Sequence, residues 1–176
     1  MKLLSSGMLY PVSVIDGLVH QLGGLRLQAE CSLKWKVDEM SKCPVGHAVM
    51  TSPGGSKLRD EYDAIIHTVP PFYAHYSDDP VEALRQCYQN AFALAFSSNT
   101  PSKRIASPLL GAGCRGFPVD AAINVAASES VRWRDKRSDE EVNHNVEEVV
   151  AFGVLEHDVA EKLVHSIGEA IVKFET

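Results

Sequence analysis

The clearest pattern along the chain is a change of hydrophobic period. Ala64-Ile65-Ile66-His67-Thr68-Val69 is a nearly unbroken apolar run, and Pro70-Pro71 ends it, which predicts a buried strand over 62–69. A helical pattern follows. Asp78-Asp79-Pro80 supplies an acid cap and a first-turn proline. Leu84, Cys87, Tyr88, Ala91, Leu94 and Ala95 then share one face up to about Phe96. The same alternation continues: a strand over 103–110, a glycine-rich loop from Gly111 to Phe117, and a helix from Pro118 to about Arg134. A charged linker over 136–145 leads to a strand over 147–155 and a helix over 157–174. Upstream, 46–52 is a short β-type run closed by Pro53-Gly54-Gly55. A helical run begins at Asp16, is interrupted at Gly23-Gly24, and resumes from Leu25 to Val37. The first fifteen residues show no clear period and are rich in turn formers, so they are expected to be irregular, as loop or weak strand. Strands alternating with helices predict an α/β sandwich with helices on both faces of the sheet.

A length of 176 residues fits a single domain, expected to span 1–176. A hydrophobic fraction of 45% with 23% charged residues excludes a disordered or collagen-like chain. The net charge of −6 argues against broad nucleic-acid binding, so any anion must be held locally by backbone N–H groups. Cys31, Cys43, Cys87 and Cys114 form no CxxC pair and have no paired histidine spacing. Neither a metal site nor a disulfide framework is expected, and free thiols in a reducing compartment are. The N-terminal apolar run is too short for a signal peptide, and no stretch has the length of a membrane span. An intracellular location, cytoplasmic or nuclear, is expected, with no membrane partner and no cofactor.

The segment Arg104 to Pro118 carries the strongest chemistry. A buried strand enters a loop with Gly111, Gly113 and Gly116, which enters a helix at Pro118. Glycines permit positive φ and close backbone approach, and successive N–H groups at a helix N-terminus attract an anion. A ligand-free turn has the same local signature. The spacing also matches GxGxxG, but a dinucleotide fold wants an acidic residue about 20 positions on at the end of the next strand. Asp135 has that spacing and falls at a helix end instead.

Several motifs in register resemble the macro domain family. Gly111-Ala112-Gly113-Cys114-Arg115-Gly116-Phe117-Pro118 resembles its second loop, Ser-Thr-Gly-x-aromatic-Gly-aromatic-Pro. Ile65-Ile66-His67-Thr68-Val69-Pro70-Pro71 resembles its Ile-Ile-His-x-Val-Gly-Pro strand, and Tyr88-Gln89-Asn90-Ala91-Phe92-Ala93-Leu94-Ala95 its Tyr-x-Asn-x-Leu-x-Leu-Ala helix. Ile15-Asp16-Gly17-Leu18-Val19-His20 resembles its Val-Asp-x-Ala-Ile-His helix start, with Glu30-Cys31 at the matching distance. Cys43-Pro44-Val45-Gly46-His47-Ala48 resembles its Cys-x-Thr-Gly-x-Ala turn. The resemblance implies a three-layer α/β/α sandwich with a mixed sheet, binding ADP-ribose or ADP-ribosylated protein. It implies ligand contacts at Ile15, Leu110, Gly111, Ala112, Gly113, Cys114, Arg115, Gly116, Phe117 and Val154, or Phe152 if the last strand is shifted by two. It further implies that Asp16, if the domain is a hydrolase, orients the attacking water; the alternatives are binding alone, or a ligand-free interaction module with Tyr10 and Pro11 filling the cleft.

This chain also departs from the family. The family's Gly-Asp-Ile and Val-Asn-Ala-Ala-Asn strands have no counterpart, so the first strands are expected to be missing. Its Gly-Gly-Gly-Val-Asp loop reads Val12-Ser13-Val14-Ile15-Asp16, and the second loop's first aromatic is Arg115. Losing a central strand would leave two rows of unpaired backbone groups, each costing about 1–3 kcal/mol if buried. Because Pro11 and several turn formers make residues 1–15 a poor strand, direct pairing of 62–69 with 103–110 in a sheet of about four strands is expected. Single residues have simple alternatives: Asp16 as a helix N-cap, His67 as a hydrogen-bonded core histidine, Asn90 as a buried amide bonding a loop carbonyl, and Arg115 as a phosphate ligand or a solvated side chain. Cys114 lacks a base in the sequence to make it a nucleophile. The acids Asp139, Glu140, Glu141, Glu147 and Glu148 are expected on a solvated surface.

Overall fold

The computed structural model describes residues 1–6, 15–35, 43–97, 103–138 and 147–175. Five strands form one sheet: β1 (Lys2–Ser6), β2 (Ala48–Thr51), β3 (Ala64–Thr68), β4 (Arg104–Pro108) and β5 (Val149–Gly153). Five helices complete it: α1 (Ile15–Trp35), α2 (Ser56–Arg59), α3 (Pro80–Ala95), α4 (Val119–Ser138) and α5 (His157–Phe174). The strand order is β2-β3-β1-β4-β5. The β2–β3 pair is antiparallel and the other three pairs are parallel, so the sheet is mixed. Helices on both faces make the expected α/β/α sandwich.

The expectation of a missing central strand and direct closure is overturned. β1 lies between β3 and β4: Lys2 through Ser6 pair with Ala64 through Thr68, while Lys2 and Leu3 pair with Ile105 and Ala106. The backbone groups of β3 that closure was meant to satisfy are satisfied by β1. The strand needs only Lys2–Ser6, and that is the physical reason. A parallel strand rises about 3.3 Å per residue, so a five-residue stretch spans the short strands beside it, and all of Lys2–Ser6 precedes Pro11.

α1 shows the expected interruption at Gly23-Gly24: Gly24 leaves helical geometry, at φ 62° and ψ −161°, and two helical segments meet there at a kink. The kink lets another loop approach: Gly55 N–H donates to the Gly23 carbonyl at 2.8 Å, and a Cβ on Gly54 would stand 2.6 Å from that oxygen. Only backbone without side chains can sit so close. At α3 the capping signal holds, since the Asp79 carboxylate accepts from Val81 N–H at 2.9 Å and Glu82 N–H at 3.1 Å. α4 extends to Ser138, beyond the expected end and into the charged linker; the acids at 139–141 lie outside the described residues. Glu148 accepts from the Trp133 indole at 3.1 Å instead of facing only solvent.

Two cores flank the sheet. On one face, Val19, Leu27 and Cys31 of α1 pack with Leu58 and Ile65. On the other, Ile66, Ile105, Leu84, Tyr88, Phe92, Phe96 and Ile123 form the larger core with α3, α4 and Leu163 of α5. The period of two along β3 divides them: Ile65 and His67 face α1, Ile66 and Thr68 face α3. Among the described residues no helix is long and apolar enough to cross a membrane.

Candidate functional site

The topology points to one place. From β1 the chain proceeds to β3 on one side and later to β4 on the other, so the strand order reverses between β1 and β4. In open α/β sheets, ligands bind outside the carboxyl ends of the strands at such a switch point. The loop after β4 and the start of α1 both lie at that end. The segment 7–14 between β1 and α1, which contains Tyr10, Pro11 and the expected first loop, lies outside the described residues.

The second loop hangs on α3. Leu110, 1% exposed, anchors it, and its N–H donates to the Tyr88 hydroxyl at 2.9 Å. Burial pushes the Tyr88 phenol well above its ordinary range, against the pull of that N–H, so it stays a neutral acceptor. Gly111, at φ 85°, turns the chain; a Cβ there would meet the Phe117 ring at 2.9 Å. The loop closes on itself through Gly116 N–H to Gly113 carbonyl, 3.0 Å, and Phe117 N–H to Gly111 carbonyl, 3.2 Å. Phe117 is buried and stacks on Tyr73 with centroids 5.1 Å apart. Ala112 is partly buried, Gly113 and Cys114 are exposed, and a Cβ on Gly113 would have no atom within 4 Å. The loop's apex is therefore an open stretch of backbone, closed on itself by those hydrogen bonds, a few residues before the α4 N-terminus.

Arg115 is not the solvated side chain that was one expectation for it. It is 8% exposed, its guanidinium lies 4.5 Å over the Phe72 ring, and its carbonyl accepts from Tyr73 N–H at 2.9 Å. A cation stacked on an aromatic face is held there, so Arg115 ties the loop to the segment after β3. That segment, Phe72 and Tyr73, was not singled out in the sequence.

Asp16 is not an N-cap either. It sits inside the first turn of α1, 1% exposed, with Oδ1 3.7 Å from Nε2 of His20 one turn later. Ile15, beside it, is 42% exposed. His67 is fully buried, as expected of a core histidine, with Nε2 2.9 Å from the Thr51 hydroxyl and 4.0 Å from Cys31 Sγ. The His20 and His67 ring centroids are 6.0 Å apart. His20 and Cys31 had no expected role in a shared site, because residues 11 apart in a kinked helix and a histidine from a strand share no short spacing. Glu30 accepts from the Ser52 N–H at 3.0 Å and from its hydroxyl, fixing α1 to the end of β2.

Val154 lies just past β5, partly buried against the larger core, and Phe152 packs edge-on to Tyr88 at 6.3 Å. Asn90 bonds the Gly46 carbonyl at 2.8 Å as expected, although the residue itself is exposed. Its partner helps shape the turn before β2. All four cysteines are free thiols, and Cys114 is the exposed one.

Fold, switch point and loop define a class, and comparison with known proteins agrees. The family model described as Macro domain matches residues 8–126, and the chain belongs to that family. A macro domain-containing protein of Listeria monocytogenes is 32% identical over 154 residues, 86% of this chain and 81% of that protein. The O-acetyl-ADP-ribose deacetylase of Klebsiella pneumoniae is 35% identical over 114 residues, covering 64% of this chain and 59% of the enzyme. The Oceanobacillus iheyensis macrodomain solved with ADP superimposes with a TM-score of 0.79 at 22% identity, over 98% of this chain and 85% of the other. At that identity the likeness is one of fold.

Proposed function

We propose that this domain binds ADP-ribose or an ADP-ribose derivative at the carboxyl ends of β1 and β4, with its phosphates against the second loop. The carrying observation is the open backbone of Ala112, Gly113 and Cys114 just before α4, beside the switch point. Local N–H donors can hold a diphosphate even in a chain of net charge −6. The relation to a named O-acetyl-ADP-ribose deacetylase supports this ligand class. Calorimetry with ADP-ribose tests it: binding heat is expected, and no heat at millimolar ligand overturns it.

A second reading rests on Asp16. A carboxylate buried beside an imidazole at the start of α1 is set up to orient a water or a ribose hydroxyl, not to cap a helix. The domain would then hydrolyse an ester or glycosidic bond at the terminal ribose. Asp16→Ala is expected to abolish turnover of O-acetyl-ADP-ribose while the circular dichroism spectrum is retained. Turnover equal to the parent's would reduce Asp16 to a structural group.

A further inference from the structure

Behind Asp16 lies a cluster that ligand binding at the second loop does not use. His20 and Cys31 come from the two halves of α1, on either side of the Gly24 kink, and His67 from the facing side of β3. One ligand atom from each, a ring nitrogen or Sγ, lies within 4.8 Å of the other two. Cys31 and His67 are buried, whereas the His20 side chain is 18% exposed and so gives the cluster a path to the surface. The His20 Nε2 atom is itself buried and makes no hydrogen bond among the described residues; Asp16 Oδ1 stands 3.7 Å from it.

We propose that His20, Cys31 and His67 form a three-ligand site for a thiophilic divalent cation of the Zn²⁺ type. Two imidazoles and a thiol suit zinc and its analogues; magnesium and calcium, which need several oxygen ligands, do not fit this donor set. Zinc bonds of about 2.0–2.1 Å to nitrogen and 2.3 Å to sulfur bring ligand atoms closer than the metal-free cluster holds them. The 4.0 Å between Cys31 Sγ and His67 Nε2 is near the span a metal bridging them needs, and the histidine rings would have to shift for the remaining distances. The Thr51 hydroxyl, 2.9 Å from His67 Nε2, gives up that nitrogen when the metal binds. Binding exchanges the Cys31 S–H bond for a sulfur–metal bond, and the proton leaves to buffer. Three protein ligands would leave a fourth position for water or another ligand. The site does not depend on the ADP-ribose reading and is tested without it.

The experiment is a Co²⁺ titration of the full chain after chelator treatment, followed by absorption. A thiolate-to-cobalt charge-transfer band saturating at one equivalent is expected, displaced by Zn²⁺. It should persist in Cys114→Ser, which removes the exposed thiol, and Co²⁺ affinity should fall about tenfold or more in Cys31→Ser. If Cys31→Ser does not fold, His20→Gln at the partly exposed ligand is expected to weaken the band similarly. Absence of the band in the parent overturns the site. So does a band that survives the ligand variants at full affinity, or one that vanishes with Cys114.

Discussion

The two faces of β3 belong to one strand yet are built differently. Toward α3 and α4, Ile66 joins a core of Tyr88, Phe92, Phe96 and Ile123, with Trp133 stacked against Phe96 at 5.7 Å. Toward α1, Ile65 is the only member that β3 contributes to a core of five buried residues, and the rest of that face is polar. There Thr51 and His67 meet across neighbouring strands, His20 and Asp16 along α1, and Glu30 reaches from α1 to Ser52 at the end of β2. The apolar face gives rigidity without chemistry, and the second loop hangs from it through Tyr88. The polar face holds the Asp16 carboxylate beside His20, and His67 beside Thr51. The proposed site at the switch point between β1 and β4 would draw on both: a backbone cradle from one side and the Asp16 carboxylate from the other.

The sharpest way to break the comparison is to remove what separates β3 from β4. Leu4→Pro places a residue without an N–H in the central strand, where Leu4 pairs with Ile66. A proline inside a central strand removes a ladder bond and is normally excluded there. A loss of about 3 kcal/mol or more is expected in urea unfolding, enough to abolish folding of a marginal domain. Unchanged stability would mean that β1 contributes little and that the sheet halves stand alone.

This outcome bears on what could be read from the sequence. The α3 cap, the buried strand at Ile65-Ile66, the glycine loop and the extent of α5 were all legible, because each signal is local: a cap beside a proline, an apolar run, a helical period. β1 was not. Five residues with no turn on one side and no clear alternation carry no period, and their strand state comes from the two partners that need them. The same holds for the His20, Cys31 and His67 cluster, assembled from a kinked helix and a strand. Arg115 was seen as a departure from the family pattern, but its stack on Phe72 depends on a loop more than 40 positions earlier in the chain.

A milder test probes the apolar face alone. Cys87 is fully buried, and burial pushes its thiol from 9.0 to about 11, partly opposed by the Thr68 hydroxyl. The folded pKa is raised, so this contribution to stability is full below pH 9.0 and is lost as pH rises toward about 11. The loss amounts to about 2–3 kcal/mol over that window. The raised thiol of Cys43 and the phenol of Tyr88 act in the same direction. Urea unfolding of the parent and of Cys87→Ala from about pH 8 up to about 11, across the raised titration of the thiol, isolates the Cys87 share. The parent's slope should be the steeper; equal slopes would mean that Cys87 ionises as freely in the fold as outside it.

The smallest effect on stability carries the most information about the site. Gly111 and Gly113 stand two residues apart in the second loop and differ in what an added methyl would meet. At Gly111, with φ 85°, a Cβ lies 2.9 Å from Phe117 Cδ2 and 3.3 Å from Leu84 Cδ2, so Gly111→Ala strains backbone and core together. A left-handed alanine costs about 1–2 kcal/mol before the ring must move. At Gly113 φ is not positive and nothing lies within 4 Å, so Gly113→Ala should leave the unfolding midpoint unchanged. The two variants separate scaffold from cradle. If phosphates approach the bare backbone at the apex, Gly113→Ala weakens ADP-ribose binding by about tenfold, roughly 1.4 kcal/mol, at full stability. If ADP-ribose binds Gly113→Ala as well as the parent, the ligand does not rest on this apex. A loss confined to Gly111→Ala would then come from a distorted loop, and the phosphate contacts would have to be sought on the side of β1 and α1.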